Sequence, residues 1–429
     1  GLLDCYELAG NRQALEIAEK IGNWVYNRLS RLDRALLNRM WPLYIAGEYG
    51  GMNEAMARLY DITGKVKFLT AAKYFDNDSL FIPLKENADI LGGIHANQHI
   101  PAVTGALKIF EVSGEVCYYN IAKNFWDIVT GHHIYNIGGT GNEEMFKPRD
   151  MIARFITDKT AETCATYNML KLTRGLFAWD PDPKYMDYYE KALYNHIAAS
   201  QDKSGPTGGS TYFMPLRPGA RKEFDTDGNS CCHGTGMENH ARYQDSIYYR
   251  SADSSELYVN LYIPSALRWD DRGFLITQSG DYLEDQAVTI TVEGSGRLDI
   301  KLRVPYWAEK GFTIKINGIP QPIEAAPGSY ATLSEDWKTG DRIDIAVPFT
   351  FRFEPAPDNP AIGGIFYGPL VMVGISDSNE YLELDLSGKD LNKAIKSTGA
   401  PMVFDMDGIT LVPDYTVQDQ HYHAYFLRK

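Results

Sequence analysis

Apolar residues recur at i, i+3 and i+4 along three stretches of the first half of the chain: residues 2–21 (LLDCYELAGNRQALEIAEKI), 56–75 (MARLYDITGKVKFLTAAKYF) and 107–126 (LKIFEVSGEVCYYNIAKNFW). Each stretch follows one plan, an apolar-periodic segment, a short turn containing Gly, and a second apolar-periodic segment. This period places the apolar side chains on one helix face, and Gly ends a helix without steric cost, so each stretch predicts an αα-hairpin. Residues 170–197 fit as a fourth copy with a longer Asp/Pro turn, and residues 234–251 read as one last helix. Copies about fifty residues apart stack hairpin on hairpin, as repeat architectures do. The segments between them, AGEYGGMNE (46–54), GGIHANQHIP (92–101) and YNIGGTGNEEMF (135–146), are rich in His, Asn, Gly and Glu. That composition suits loops converging on a site at one end of a closed ring of helices rather than an open superhelix. The chain opens in the middle of a hairpin, so a six-hairpin ring requires further helices on its N-terminal side.

Beyond residue 250 the period changes to two. ELYVNLYIPSALRW, QAVTITVEGSG, RLDIKLRVPYW, FTIKINGIPQPI and DRIDIAVPFTFRF alternate apolar and polar residues between Gly, Pro and Asp, which predicts antiparallel strands, with INGIP as a hairpin turn. The reading is therefore a multidomain α and β chain: an (α/α)6-type helical toroid, N-terminally incomplete, over residues 1–250, a β-sandwich over 251–353, and a smaller β unit over 354–429. Bracing the helical region is the role expected of the β half.

Composition narrows the partners. The chain has 429 residues, 44% of them hydrophobic, and a formal charge of −14 without any Lys/Arg-rich block, which argues against nucleic acid. No apolar run reaches the ~18–20 residues of a membrane span, and GLLDCYELAG lacks the basic and apolar regions of a signal peptide, so location is not readable from these residues. Oligomeric state is equally silent.

Five cysteines are too few for a disulfide scaffold. Cys5 and Cys117, each inside a helical repeat, read as core residues. Cys231 and Cys232 are adjacent in the Gly-flanked segment SCCHGTGMENH, and Glu162 and Cys164 flank Thr163 at a helix start. Residues i and i+2 do not face each other within a helix, so Glu162 and Cys164 can reach one ion only from an unwound N-terminal end. Three thiolates and a carboxylate suit tetrahedral zinc. A strained vicinal disulfide at Cys231 and Cys232 is the rival reading, and Glu143 and Glu144 alone read as a solvated acidic pair.

Together ETCATYNMLKLTR, SCCHGTGMENH, GEYGGMNEA, HANQHIP and GGTGNEEMF resemble the bacterial β-L-arabinofuranosidases of glycoside hydrolase families 127 and 146, with CCHGTGMEN closer to the 146-like branch. The resemblance spans nearly the whole chain and implies an (α/α)6 barrel followed by β-sandwich domains. It also implies a retaining exo-glycosidase that releases L-arabinofuranose from plant-derived glycans with a cysteine nucleophile held on zinc. By position it implies Cys231 as nucleophile, Glu162, Cys164, Cys231 and Cys232 as zinc ligands, and Glu144 as general acid/base. It places Glu190, Tyr212 and one of His95 and His99 against the sugar. A periplasmic or secreted bacterial setting is implied, a cytoplasmic one being the alternative. Zinc would keep Cys231 ionised, and an apolar neighbourhood at Met145 and Phe146 would favour a protonated Glu144. Two other classes of function fit the same residues. One is a non-catalytic, zinc-structured carbohydrate-binding protein, and the other is a toroid hydrolase or lyase acting through carboxylates alone.

Overall fold

The computed structural model describes residues 1–44, 48–205, 208–226, 228, 230–323 and 325–429, so Ala46 and Gly47 of the 46–54 stretch lie outside it. The chain divides into two compact units. The first holds residues 1–134, 140–151 and 164–176, and the second holds 135–139, 152–163 and 177–429.

The repeated plan becomes helix pairs: α1 (Leu2–Ala9) with α2 (Arg12–Leu29), α4 (Met52–Thr63) with α5 (Val66–Lys73), and α7 (Ala96–Ser113) with α8 (Val116–His132). Gly10, Gly64 and Gly114 close the first helix of each pair in the left-handed conformation, at φ 66°, 66° and 74°. Each therefore ends its helix by the same device. In the fourth copy, α9 (Thr163–Trp179) and α10 (Pro183–Ala192) flank the Asp/Pro turn, with Asp182 capping α10 and Pro183 starting it. Two short helices, α3 (Arg34–Met40) and α6 (Asp78–Lys85), are additions to the predicted plan. In the first unit α4 and α7 touch closely: Asn53 donates to the Ala102 carbonyl at 2.7 Å, and a Cβ on Gly105 would lie 2.1 Å from the Asn53 side chain. Only glycine fits there.

Three expectations need correction. The last helix, α11, runs over Cys231–His240 rather than 234–251, because Ser230 caps it by accepting the His233 N–H. The paired thiols thus open a helix instead of sitting in a loop. HANQHIP is mostly the first turns of α7, with His95 as its N-cap. Cys5 is exposed and Cys117 half-buried, because each sits on its helix away from the buried face marked by Leu3 and by Tyr118 and Ile121.

In the second unit, a four-stranded sheet (Ser329–Trp337, Gly296–Val304, Glu256–Val259, Tyr248–Arg250) and a six-stranded sheet (Ile319–Pro320, Thr313–Ile316, Arg342–Ala346, Ala287–Glu293, Phe274–Ser279, Ser265–Trp269) share one core around Val259, Ile276, Ile300 and Trp337. Their pairing is antiparallel except between Glu256–Val259 and Gly296–Val304. The INGIP turn is present, with Asn317 and Gly318 both at positive φ, as a two-residue type I′ hairpin requires. A third, nine-stranded sheet is built from strands between Phe351 and Arg428. It holds loops of its own unit: Asp358 accepts from the backbone N–H groups of Ile152, Ala153 and Arg154, and Asn136 donates to the Ala424 carbonyl. The fold class follows the prediction in its order, a helix-rich N-terminal region followed by multi-stranded β sheets. No described helix is long and apolar enough to cross a membrane.

Candidate active site

Glu162 is delivered by a strained approach to α9. Ala161 takes a left-handed φ of 55°, and residues 160–163 lie against 211–214, with the Met214 N–H on the Thr160 carbonyl at 2.9 Å and the Thr163 N–H on the Tyr212 carbonyl at 3.0 Å. Thr163 also donates its hydroxyl to the Thr211 carbonyl at 2.7 Å. Glu162 therefore stands just before the first turn of α9 and Cys164 within it, at the helix end that the spacing required. Cys231 and Cys232 are the first two residues of α11, whose cap Ser230 donates its hydroxyl to Asp225 at 2.5 Å. The sequence reading missed Asp225; its only signal was the pairing of Ser with Asp near a helix start.

These elements bring four ligand atoms together: one carboxylate oxygen of Glu162 and the Sγ atoms of Cys164, Cys231 and Cys232 lie within 4.8 Å of one another. Glu162 Oε1 is 4.0 Å from Cys231 Sγ and 3.9 Å from Cys232 Sγ. Bonds of ~2.3 Å to sulfur and ~2.0 Å to oxygen at tetrahedral angles space donors about 3.5–3.8 Å apart, so the set fits a metal ion with a small contraction. Cys231 and Cys232 are not joined in a disulfide. Burial separates the neighbours. Glu162, Cys164 and Cys232 are buried, whereas Cys231 is exposed and its sulfur lies 3.9 Å from the Tyr212 hydroxyl. The N-terminal ends of α9 and α11, with the partial positive charge of a helix start, favour the ionised thiols.

In the first unit, Glu143 and Glu144 form the two central residues of a tight hairpin turn. Asn142 and Met145 exchange backbone hydrogen bonds at 2.9 and 3.2 Å, and Glu143 and Glu144 have φ of 49° and 67°. This is the type I′ geometry normally given to Asn-Gly, and each non-glycine residue held there costs about 1–3 kcal/mol. The turn is tied to α7 by the Ala96 N–H on the Glu144 carbonyl at 2.8 Å. His95 Nδ1 accepts the Gln98 N–H at 3.3 Å, which puts the proton of a neutral ring on Nε2, 3.3 Å from Glu144 Oε2. Glu144 is 29% exposed and meets an imidazole, while Phe146 turns into the core. His99 donates from Nδ1 to the His95 carbonyl at 2.6 Å, and burial holds its pKa below the usual value. Both histidines line a cleft of about 240 Å³.

Residues 1–245 match the family model for the β-L-arabinofuranosidase GH127 catalytic domain, and residues 256–349 match that for the GH127 middle domain. The chain belongs to glycoside hydrolase family 127. This family 127 member is 20% identical over 390 residues to a non-reducing end β-L-arabinofuranosidase of Bifidobacterium longum subsp. longum, covering 80% of this chain and 57% of the relative. The chain thus spans little more than half the length of that curated relative. Among solved structures it is similar to a glycoside hydrolase (TM-score 0.78, 17% identity, 99% of this chain and 81% of that one). It is also similar to a GH127 β-L-arabinofuranosidase from Geobacillus stearothermophilus T6 (TM-score 0.72, 19% identity, 99% and 78%). At these identities the structures establish the shared fold.

Glu190 is on α10 in the second unit. It is 1% exposed, and its carboxylate accepts from Arg303 at 2.6 Å and from the Trp307 indole at 3.1 Å. Arg303 also donates to Asp187 at 2.5 Å, so one buried guanidinium serves two carboxylates of α10. Burial, and then the neighbouring Glu190 charge, push Asp187 up to about 6 against the pull of Arg303. Arg303→Met would strand both carboxylates and is expected to cost about 3–5 kcal/mol in urea unfolding. A carboxyl whose folded pKa exceeds its unfolded value destabilises the fold once ionised, and loss of Arg303 pushes Asp187 higher still, so the deficit should shrink as pH falls toward about 6. A loss below about 1 kcal/mol, typical of an exposed pair, would contradict this.

Proposed function

We propose that this family 127 member is a retaining exo-β-L-arabinofuranosidase that releases L-arabinofuranose from plant-derived glycans, with Cys231 as nucleophile and Glu144 as acid/base. The observation that carries this reading is the cluster in which only Cys231 of the four donors is exposed. A buried Glu162, Cys164 and Cys232 suit holding an ion, and an exposed thiol at a helix N-terminus suits attack. We assign the ion as zinc, the metal that most readily accepts this sulfur-rich tetrahedral donor set. Bound there, it would supply charge that keeps the thiols ionised at neutral pH.

In the first displacement the Cys231 sulfur forms a bond to the anomeric carbon as the bond to the leaving oxygen breaks, and Glu144 gives that oxygen its proton. In the second, a water oxygen bonds to the same carbon, the carbon–sulfur bond breaks and returns its pair to Cys231, and Glu144 takes the proton of water. Two displacements at one carbon retain configuration. His95 orients Glu144 through Nε2–H, and the Tyr212 hydroxyl near Cys231 supports its role in holding the sugar. We place His95 and His99 on the sugar side of their cleft. Glu190, which the resemblance also places against the sugar, we assign to fixing α10, given its partners Arg303 and Trp307.

We assign the catalytic region to residues 1–250, a sandwich to 251–353 and a further β unit to 354–429. The CCHGTGMEN form supports a place near the 146-like branch. A polymer substrate made outside the bacterial cell supports a periplasmic or secreted setting.

Elemental analysis of protein purified without added metal is expected to find one zinc per chain, and a panel of plant glycans is expected to yield free L-arabinose. Metal-free protein in which Cys231 and Cys232 both alkylate like ordinary thiols would refute the metal assignment. Sugar binding without release would favour a non-catalytic carbohydrate-binding protein.

A further inference from the structure

Glu162 and the paired cysteines come from distant parts of the sequence, and one short ribbon in the second unit reaches both. Ser210–Thr211 and Phe224–Asp225 pair antiparallel, with Ser210 opposite Asp225 and Thr211 opposite Phe224. The first strand and the residues after it hold the approach to α9: Thr163 donates its hydroxyl to the Thr211 carbonyl and its N–H to the Tyr212 carbonyl, and Glu162 pairs with Phe213 in a single β-bridge. The second strand holds α11. Asp225 accepts the Ser230 hydroxyl at 2.5 Å, and the same Ser230 oxygen accepts the His233 N–H at 3.3 Å as the helix cap.

The body of α11 also sits directly on the ribbon. A Cβ at Gly236 would come within 2.8 Å of the Ser210 Cβ, so the helix approaches there as closely as a glycine allows. Gly236 is one turn beyond Cys232 on the same helix face. Cys232 accordingly points its sulfur at the ribbon side, 3.8 Å from the Tyr212 carbonyl oxygen and 3.9 Å from Glu162 Oε1. The weak point of this seat is its end. Cys231 and Cys232 are the first two residues of α11, in the turn that frays first when a cap is lost. Metal ligands tolerate little displacement, and the groups that orient them are typically worth about 10–100-fold in metal affinity.

We propose that Asp225 is a positioning residue of the metal site, acting through Ser230. It fixes the start of α11 on the ribbon that also holds Glu162, so that both cysteines meet that carboxylate. The proposal rests on the metal-site reading given above.

Zinc affinity of the full chain, measured by competition with a chromophoric chelator, tests it together with alkylation of the metal-stripped protein by iodoacetamide. Asp225→Ala and Ser230→Ala should each weaken zinc binding about 10–100-fold. The double variant should be no weaker than the weaker single, because both substitutions remove the same bond. Asp225→Asn, whose amide oxygen still accepts the Ser230 hydroxyl, should recover most of the loss. Without metal, iodoacetamide should reach the buried Cys232 about fivefold faster in Asp225→Ala than in the parent, the usual worth of one helix cap, while the exposed Cys231 reacts nearly as before. Should Asp225→Ala not fold, Ser230→Ala, which removes the bond by losing a single oxygen atom, decides. Parent-like zinc affinity in both alanine variants would overturn the proposal, as would additive losses in the double variant. An Asp225→Asn as weak as Asp225→Ala would also overturn it, by making the charge rather than the bond responsible. A parent chain that takes up no zinc would refute the metal site and this role with it, whereas a zinc-binding parent with indifferent variants refutes this role alone.

Discussion

Cys231→Ser is expected to lower kcat by on the order of a thousandfold or more while the protein still carries its metal. A serine hydroxyl is far harder to ionise than a thiol, so the electron pair that attacks the anomeric carbon is lost while the side chain keeps its shape. Three buried donors, Glu162, Cys164 and Cys232, remain to hold an ion. Loss of activity alone does not separate attack from metal binding, because Cys232→Ser should also lower it by loosening the metal. Trapping separates them. An arabinofuranose-configured epoxide or haloacetamide is expected to label Cys231 and leave Cys232 and Glu144 unmodified in peptide maps, because only Cys231 of the cluster is exposed. Label on Cys232 would exchange the two roles. A product of inverted configuration would exclude a covalent intermediate and favour a toroid hydrolase acting through carboxylates.

Glu144→Gln is expected to cost about 10²–10⁴-fold in kcat on natural glycans and far less on aryl glycosides with acidic leaving groups, which depart without a proton. Gln keeps the size of the side chain and its acceptor oxygen toward His95 Nε2, 3.3 Å away in the parent, so the turn should survive the change. Glu143→Gln, one residue earlier in the same strained turn, should leave both substrates nearly unaffected. His95→Gln should weaken the glycan reaction more than the aryl one and shift its pH profile, as a residue that positions the acid would. Equal losses on both substrate types at Glu144, or a larger loss at Glu143, would reassign the proton donor.

Much of the fold was legible because its signals are local. A glycine at a helix stop, an apolar residue every third or fourth position and Asn-Gly between alternating strands each act within a few residues, and Gly10, Gly64, Gly114 and the Asn317-Gly318 turn all do what such residues do elsewhere. Errors arose where one side chain redirected the backbone. Ser230, bonded to Asp225, starts α11 at Cys231 and turns an expected loop into a helix end. Glu143 and Glu144 defeat turn rules altogether, since the I′ conformation they adopt is one that local propensity assigns to Asn and Gly.

By itself, the sequence determined the helix pairs, the change to strands near residue 250 and the donor types that suit a soft metal, all properties of neighbouring residues. The resemblance added a role for each donor. Only the tertiary structure could show Cys231 and Glu162, 69 residues apart, at 4.0 Å, because that distance depends on where α9 and α11 begin and on the segment of residues 211–214 that holds Thr163. It alone decided that of two adjacent, chemically identical cysteines one is exposed and the other buried. It also decided that Glu190 belongs to Arg303 and Trp307. Burial and long-range pairing are set by what the rest of the chain packs against a residue, and no window of sequence around that residue contains it.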